Sequence, residues 1–117
     1  MPVSTEFESY ILEQLAPAGA VNARRMFGGV GIYIDDVFCA LIAPGSGALF
    51  FKVDESNRAD YEAAGSKPFM PYKDRATVMS YYEVPEEVIE DPEELLRWAK
   101  KARAAALAAP RKRRKSL

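Results

Sequence analysis

The segment from Arg24 to Gly31 combines two adjacent cations with three glycines, and it is the stretch of the chain best suited to binding an anion. It reads Arg24, Arg25, Met26, Phe27, Gly28, Gly29, Val30, Gly31. It lacks the third glycine of a dinucleotide-binding loop, and it leads into a strand rather than a helix. The glycines are therefore also typical of a bulge or a sharp bend between two strands. An anion site here is one of two interpretations.

A second group of cations lies near the end of the chain. It consists of Arg111, Lys112, Arg113, Arg114 and Lys115. Five cations can neutralise up to about five phosphates, which predicts nonspecific and strongly salt-dependent contact with nucleic acid. The run contains no aromatic residue, so it offers no surface for base stacking. The alternative is a solvated tail, and we expect residues 110–117 to be disordered in either case.

Acidic side chains are concentrated between residues 83 and 94. They are Glu83, Glu86, Glu87, Glu90, Asp91, Glu93 and Glu94. Such a run suits a hard cation, a basic partner or the protein's own tail, but it lacks the alternating ligands and the glycine of a calcium loop. Acids at the starts of helices, where the helix dipole favours them, are the preferred interpretation. We therefore predict no metal site.

Several kinds of enzyme are excluded by what the chain lacks. It contains no histidine, so catalytic triads, Cys-His dyads and His-ligated metals are ruled out. Its single cysteine, Cys39, lies in an apolar run and is predicted to be a small buried residue rather than a nucleophile. Lys52 is predicted to be solvated. We expect no enzymatic activity and no cofactor.

Size and charge indicate one domain with an uneven charge distribution. The 117 residues carry a net charge of −1. Residues 1–109 hold 11 basic and 17 acidic side chains, a net charge of −6, against +5 in the tail. No apolar run approaches the roughly 20 residues needed to cross a membrane. The first residues do not resemble a secretory signal, and a lone thiol suits a reducing compartment, so a cytoplasmic location is expected.

Helical periodicity appears at both ends of the domain. Near the N-terminus, Thr5 and Glu8 have the spacing of a capping box, and Pro17 with Gly19 ends the helix. Before the C-terminal helix, Asp91 suits the N-cap position and Pro92 suits the first helical position, with Glu94 closing a capping box. A short middle helix is predicted to run to Ala64, followed by Gly65.

Strand patterns occupy most of the chain between the first and last helices. Strands are predicted at 23–27, 30–34, 37–42, 48–53 and 77–84. Asp35 and Asp36 mark a hairpin turn, and links this short require antiparallel pairing. Tyr81 and Tyr82 are expected on opposite faces of the sheet, one buried and one exposed. The predicted core beneath the helices consists of Phe7, Ile11, Ile32, Ile34, Leu41, Phe50, Leu95 and Trp98.

The fold class that follows is α+β. We predict one domain over residues 1–109, with an antiparallel sheet of four to six strands. An N-terminal helix, a short middle helix and a long C-terminal helix flank this sheet.

Four motifs in order give the sequence a family resemblance. They are RRMFGGVGIY at 24–33, LFFKVD at 49–54, GSKPF at 65–69 and MSYYEVP at 79–85. Together with Trp98-Ala99 they resemble the N-terminal domain of the TfoX/Sxy competence regulators, over essentially residues 4–106. The resemblance implies a single α+β domain without established catalytic or ligand-binding residues, and residues 24–29 match the hallmark of the family.

Two functions from different classes are expected. The first is a non-enzymatic regulatory module of the TfoX type, which acts through an unidentified protein partner and has added nucleic-acid contact through the tail. The alternative is a small-molecule or anion-binding domain that uses Arg24-Arg25 and Gly28-Gly29. Neither requires a membrane, and pairing at a sheet edge would produce a homodimer.

Overall fold

A computed structural model describes residues 5–26, 28–43, 47–68 and 80–108 of the chain. Helix α1 spans Thr5–Leu15 and is followed by a 3₁₀ turn at Ala16–Ala18. The other helices are α2 (Arg58–Ala63), α3 (Glu86–Ile89) and α4 (Pro92–Ala108). The strands are β1 (Val21–Met26), β2 (Gly29–Ile34), β3 (Val37–Ile42), β4 (Leu49–Lys52) and β5 (Tyr81–Glu83).

The five described strands form one antiparallel sheet in the order β1-β2-β3-β4-β5, so each strand pairs with its neighbour in the chain. Asp35 and Asp36 join β2 to β3 with φ angles of 53° and 68°. Two residues of positive φ form the tight turn that matches the twist of a hairpin, which confirms the predicted hairpin. Pro68, which belongs to no strand, forms an isolated antiparallel bridge to Tyr82 of β5. The predicted α+β class is confirmed.

Helices α1 and α4 pack together, with α1 against β1 and α4 against β3 and β4. The core between them contains five of the residues predicted to lie there, namely Ile11, Ile32, Ile34, Leu95 and Trp98. Ala99 and Ala102 are also buried, as small residues must be where a helix lies close to a sheet. Phe7 is half-buried and packs at the margin of this core.

The prediction that Leu41 and Phe50 lie beneath the helices is wrong. These two residues are cross-strand partners in β3 and β4, and they belong to a second apolar cluster with Ala43 and Tyr81. Their neighbours Ile42 and Phe51 occupy the helix side instead. Adjacent residues of a strand point to opposite faces, so in a continuous apolar run the sequence does not reveal which set faces the helices.

The start of α4 shows which predicted capping contacts form. Asp91 Oδ1 accepts hydrogen bonds from the backbone N–H groups of Glu93 and Glu94, at 3.2 Å and 3.3 Å, so the N-cap is confirmed. The reciprocal half of the capping box is wrong. The Asp91 N–H donates to the Val88 carbonyl, while the Glu94 carboxylate accepts from Arg97 and from Trp98 Nε1. A nearby guanidinium is the stronger partner for a carboxylate.

Some predictions concern residues outside the described ranges. They are the predicted basic tail at 110–117, Phe27 in the hallmark segment, and the first residues of the strand predicted at 77–84. Among the described residues, no helix has the length and apolar composition needed to span a membrane.

Candidate functional site

Arg24 and Arg25 are placed on opposite faces of strand β1, as strand alternation requires. The Arg25 guanidinium pairs with Glu8 of helix α1, with 2.9 Å between Nη2 and Oε1. The guanidinium carbon of Arg24 lies 5.4 Å from the ring centroid of Tyr33, in the geometry of a cation–π interaction. The two cations therefore have separate partners and do not converge on one position.

The glycines of the same segment serve the backbone of the β1–β2 connection. Gly28 has a φ of 82°, a left-handed conformation that residues with a Cβ adopt only at a cost. Gly29 then pairs with Met26, and Gly31 pairs with Arg24 across the two strands. This arrangement supports the interpretation as a turn between strands. Anion binding by this segment stays a prediction. Because Arg25 is paired with Glu8, the Arg24 guanidinium is the group left to serve it.

The face of the sheet opposite the helices carries a row of aromatic rings, which we call the aromatic row: Tyr33, Phe38 and Tyr81. The Tyr33 and Phe38 ring centroids are 5.2 Å apart, and those of Phe38 and Tyr81 are 5.6 Å apart. Cations lie over both ends, because Lys52 Nζ is 5.4 Å from the Tyr81 ring. Lys52 is half-buried, so its prediction as a solvated side chain is wrong.

The paired tyrosines of β5 lie on opposite faces of the sheet, as predicted, but the prediction that one of them is exposed is wrong. Tyr81 is buried in the second apolar cluster, and burial raises the pKa of its hydroxyl above the usual range. Tyr82 is half-buried on the helix side, where its ring lies 5.8 Å from that of Tyr61. Neither tyrosine is exposed, since apolar residues cluster on both faces of the sheet at this strand. Both rings therefore contribute to packing.

Cys39 is buried on β3, which confirms its prediction as a small buried residue. Burial raises the pKa of the thiol to about 12, although a backbone hydrogen bond at Ile34 and the charge of Arg103 act in the opposite direction. The reactive form of a cysteine is the thiolate. At neutral pH the thiol of Cys39 is therefore protonated and shielded from solvent.

A groove of about 560 Å³ opens between helix α1, helix α3 and the adjoining ends of β4 and β5. We call it the acidic groove. It is lined by Phe7, Tyr10, Ala48, Leu49, Glu83, Val84, Glu86, Ile89 and Glu90. The Tyr10 hydroxyl donates a 2.8 Å hydrogen bond to the Ile89 carbonyl, so α1 and α3 are joined directly. The groove thus has an apolar floor and walls that are held together.

The charged residues that line the acidic groove, among those that the structure describes, all have the same sign. Glu83, Glu86 and Glu90 are exposed, and no described lysine or arginine contributes to the lining. The ion pairs among the described residues involve other carboxylates. They join Arg25 to Glu8, Arg97 to Glu94, Lys101 to Asp60 and Arg103 to Asp35. The three glutamates of the groove are therefore available to a cation from outside the domain.

The acidic run of the sequence is divided by the structure into two parts. Asp91 and Glu94 are used at the start of α4, and the hydrogen bond from Arg97 lowers the pKa of Glu94. Only Glu83, Glu86 and Glu90 line the groove. Within the described ranges, no three acidic or cysteine side chains are grouped closely enough to hold a metal ion.

Sequence reasoning identified the acids but missed the groove. Phe7 was predicted to lie in the core beneath the helices, whereas it contributes with Tyr10 to the floor of the groove beside α3. One signal was present, because acids at 83, 86 and 90 recur at intervals of three and four residues beside the apolar Val84 and Ile89. Their proximity to α1 depends on a contact between residues 79 positions apart.

An antiparallel sheet with its long helix on one face defines a small α+β domain, and this domain bears an open groove. The sequence model of the TfoX N-terminal domain matches residues 13–106, from the second half of α1 almost to the end of α4. The chain belongs to the TfoX N-terminal domain family, and at the level of that family it is a regulatory type of domain. A search of curated proteins produced no match.

Proposed function

We propose that this domain is a non-enzymatic regulatory module that binds a protein partner through the acidic groove, and that its basic tail adds nonspecific contact with nucleic acid. The observation that carries the proposal is the groove itself. An apolar floor bordered by carboxylates that form no ion pair with another described residue suits a peptide segment that carries both apolar surface and positive charge.

The chemistry of the side chains supports a binding role over a catalytic one. The chain has no histidine, and the Cys39 thiol is buried with a pKa near 12. A nucleophile needs a lowered pKa or an adjacent base, and the environment of Cys39 supplies neither. The described lining of the groove contains no serine, threonine, cysteine or lysine that its carboxylates could activate as a nucleophile.

The role proposed for the tail is tested by fluorescence anisotropy with duplex DNA and with single-stranded RNA across a salt series. The unmodified chain is compared with a tail variant in which the five cations Arg111 to Lys115 are replaced by serine. If all five cations bind phosphates, log affinity for duplex DNA falls by roughly 4.5 per log unit of salt. We expect the tail variant to lose this binding. Equal binding by both proteins, or none by either at low salt, would contradict the role of the tail.

A further inference from the structure

We propose that the acidic groove holds the chain's own basic tail, residues 111–115, as long as no partner is bound. The inference rests on the proposed function, because it names an occupant of the same groove. The described lining of the groove contributes Glu83, Glu86 and Glu90 and no lysine or arginine, whereas residues 111–115 contribute five cations and no acid. Opposite charges of this kind increase the rate of encounter and fix the register of binding.

The floor of the groove suits the side chains of the tail as well as their charges. Lysine and arginine place long apolar stems along apolar surfaces while their charged ends remain in water. The Tyr10 ring and the Ile89 side chain, both half-buried, line the groove next to the carboxylates. Cations already lie above aromatic rings elsewhere in this domain, at Arg24 and at Lys52. The groove therefore suits both the apolar stem and the charged end of each basic side chain.

The end of α4, from which the tail continues, lies close to the groove. Ala108, the last residue of α4, lines a pocket together with Lys52 and Ser80. Lys52 is the last residue of β4, whereas Leu49, which lines the groove, is the first residue of the same strand. Three residues of a strand cover about 10 Å. The near end of the groove is therefore about 10 Å along β4 from the residues that contact Ala108.

Chain length allows the cations of the tail to reach both ends of the groove. A fully extended chain covers about 3.5 Å per residue, so Arg111 reaches about 10 Å from Ala108 and Lys115 about 25 Å. The far end of the groove, at Glu90, lies two residues before α4, and the 17 residues of that helix span about 25 Å. The reach of the five cations therefore matches the distances from Ala108 to the near and far ends of the groove.

Tethering favours the chain's own tail over a segment of another molecule. A tail joined to the domain by a short stretch of chain has an effective concentration on the order of millimolar at the groove. In dilute solution a second copy or a free peptide stays far below this concentration, so the chain's own tail occupies the groove first. An external partner must then displace the tail, and a docked tail is unavailable to phosphate. Partner binding and nucleic-acid binding therefore become coupled through this contact.

The test measures the broadening of amide signals by a spin label on the tail. The substitution Ser116→Cys provides the attachment site for a maleimide spin label just after the five cations. The other thiol, that of Cys39, is buried and protonated at neutral pH, so the label reacts selectively with the new cysteine. Spectra are recorded at about 0.05 M and about 0.5 M salt, because salt screens the attraction between exposed charges.

Three variants, each with the same spin label, are compared with the otherwise unmodified chain. The groove variant carries Glu83→Gln, Glu86→Gln and Glu90→Gln. The control variant loses three exposed carboxylates that do not line the groove, and it carries Glu13→Gln, Glu55→Gln and Glu62→Gln. One of these, Glu55, lies in the pocket beside Ala108, so the control also tests for a general effect of acidic charge near the start of the tail. The tail variant is the serine form defined above.

At low salt we expect broadening of the groove amides, such as those of Tyr10 and Glu83, in the unmodified chain and in the control variant. This broadening should be lost at high salt, in the groove variant and in the tail variant. It should also be absent when isotope-labelled protein without the spin label is mixed with spin-labelled protein of natural isotopic abundance. Sharp groove amides in the spin-labelled unmodified chain, equal broadening in the groove variant, or broadening in the mixture would overturn the inference.

These outcomes are separate from those that test the proposed function, because neither a partner nor nucleic acid is present. An added amphipathic peptide of lysine and leucine provides the distinction. If this peptide bound in the groove of a chain whose own tail left the groove amides sharp, the inference would be overturned and the proposed function would stand.

Discussion

The β1–β2 turn and the acidic groove both bring like charges together, but they differ in what those charges already contact. At the turn, Arg25 pairs with Glu8 and Arg24 lies over Tyr33. In the groove, Glu83 and Glu90 border an apolar floor and take no part in the ion pairs found among the described residues. A charged group that already has a partner within the protein gains less free energy from binding a ligand. Charge alone therefore does not identify a binding site, and the groove is the better candidate.

The largest effect that we predict is the low reactivity of the Cys39 thiol. A reactive thiol would break the comparison, because it would favour a catalytic function over a binding surface. The pKa of the Cys39 thiol rises from 9.0 to about 12 on folding. At pH 8 the thiolate fraction is then about a thousandfold lower in the folded protein than in the unfolded one. We expect a chromogenic disulfide reagent to react with the native protein at least a thousandfold more slowly than with the protein in denaturant.

The raised pKa of Cys39 also makes the free energy of unfolding depend on pH. Between pH 9 and pH 12 the folded protein keeps a proton on Cys39 that the unfolded chain has lost, so the free energy of unfolding falls as pH rises through that range. A Cys39→Ala variant should show a smaller fall. Rapid labelling of the native protein at pH 8 would show that the thiol is accessible and would reopen a catalytic role.

A smaller effect concerns stability, and it tests which contacts hold the groove and the β1–β2 turn in place. Replacement Tyr10→Phe removes the hydrogen bond to the Ile89 carbonyl that joins α1 to α3. We expect the free energy of unfolding in urea to fall by about 1 kcal/mol, the usual contribution of one partly buried hydrogen bond.

The matched change at the turn is Glu8→Gln, which removes an ion pair whose arginine side chain is 60% exposed. Because solvent screens such a pair, we expect a loss below about 0.5 kcal/mol that disappears at high salt. A larger loss for Glu8→Gln than for Tyr10→Phe would contradict our account of how the groove walls are held.

Local signals in the sequence predicted much of this fold. The start of α4 was predictable because Asp91 suits the N-cap position and Pro92 suits the first helical position. Asp35 and Asp36 form the predicted hairpin turn. These features depend on residues close together in the chain. The faces of Leu41 and Phe50 could not be assigned, because apolar residues in these strands occupy both sides of the sheet.

The candidate site was harder to predict than the fold. The acids of residues 83–94 were visible in the sequence, but the division between those that serve α4 and those that line the groove depends on Arg97 and on the position of α1. Likewise, the separation of Arg24 from Arg25 follows from strand alternation once β1 is placed beside α1. Contacts between distant residues carry this information, and no local pattern specifies them.

The central claim is that the acidic groove is the docking surface of this domain and that a basic segment is its occupant. The most direct measurement records amide correlation spectra of the tail variant while an unlabelled peptide of residues 109–117 is added. We predict shifts concentrated at amides of the groove, such as those of Tyr10, Leu49 and Glu83, and their loss when the three groove glutamates are also replaced by glutamine. Shifts centred on the turn around Arg24, or an unchanged spectrum, would contradict the claim.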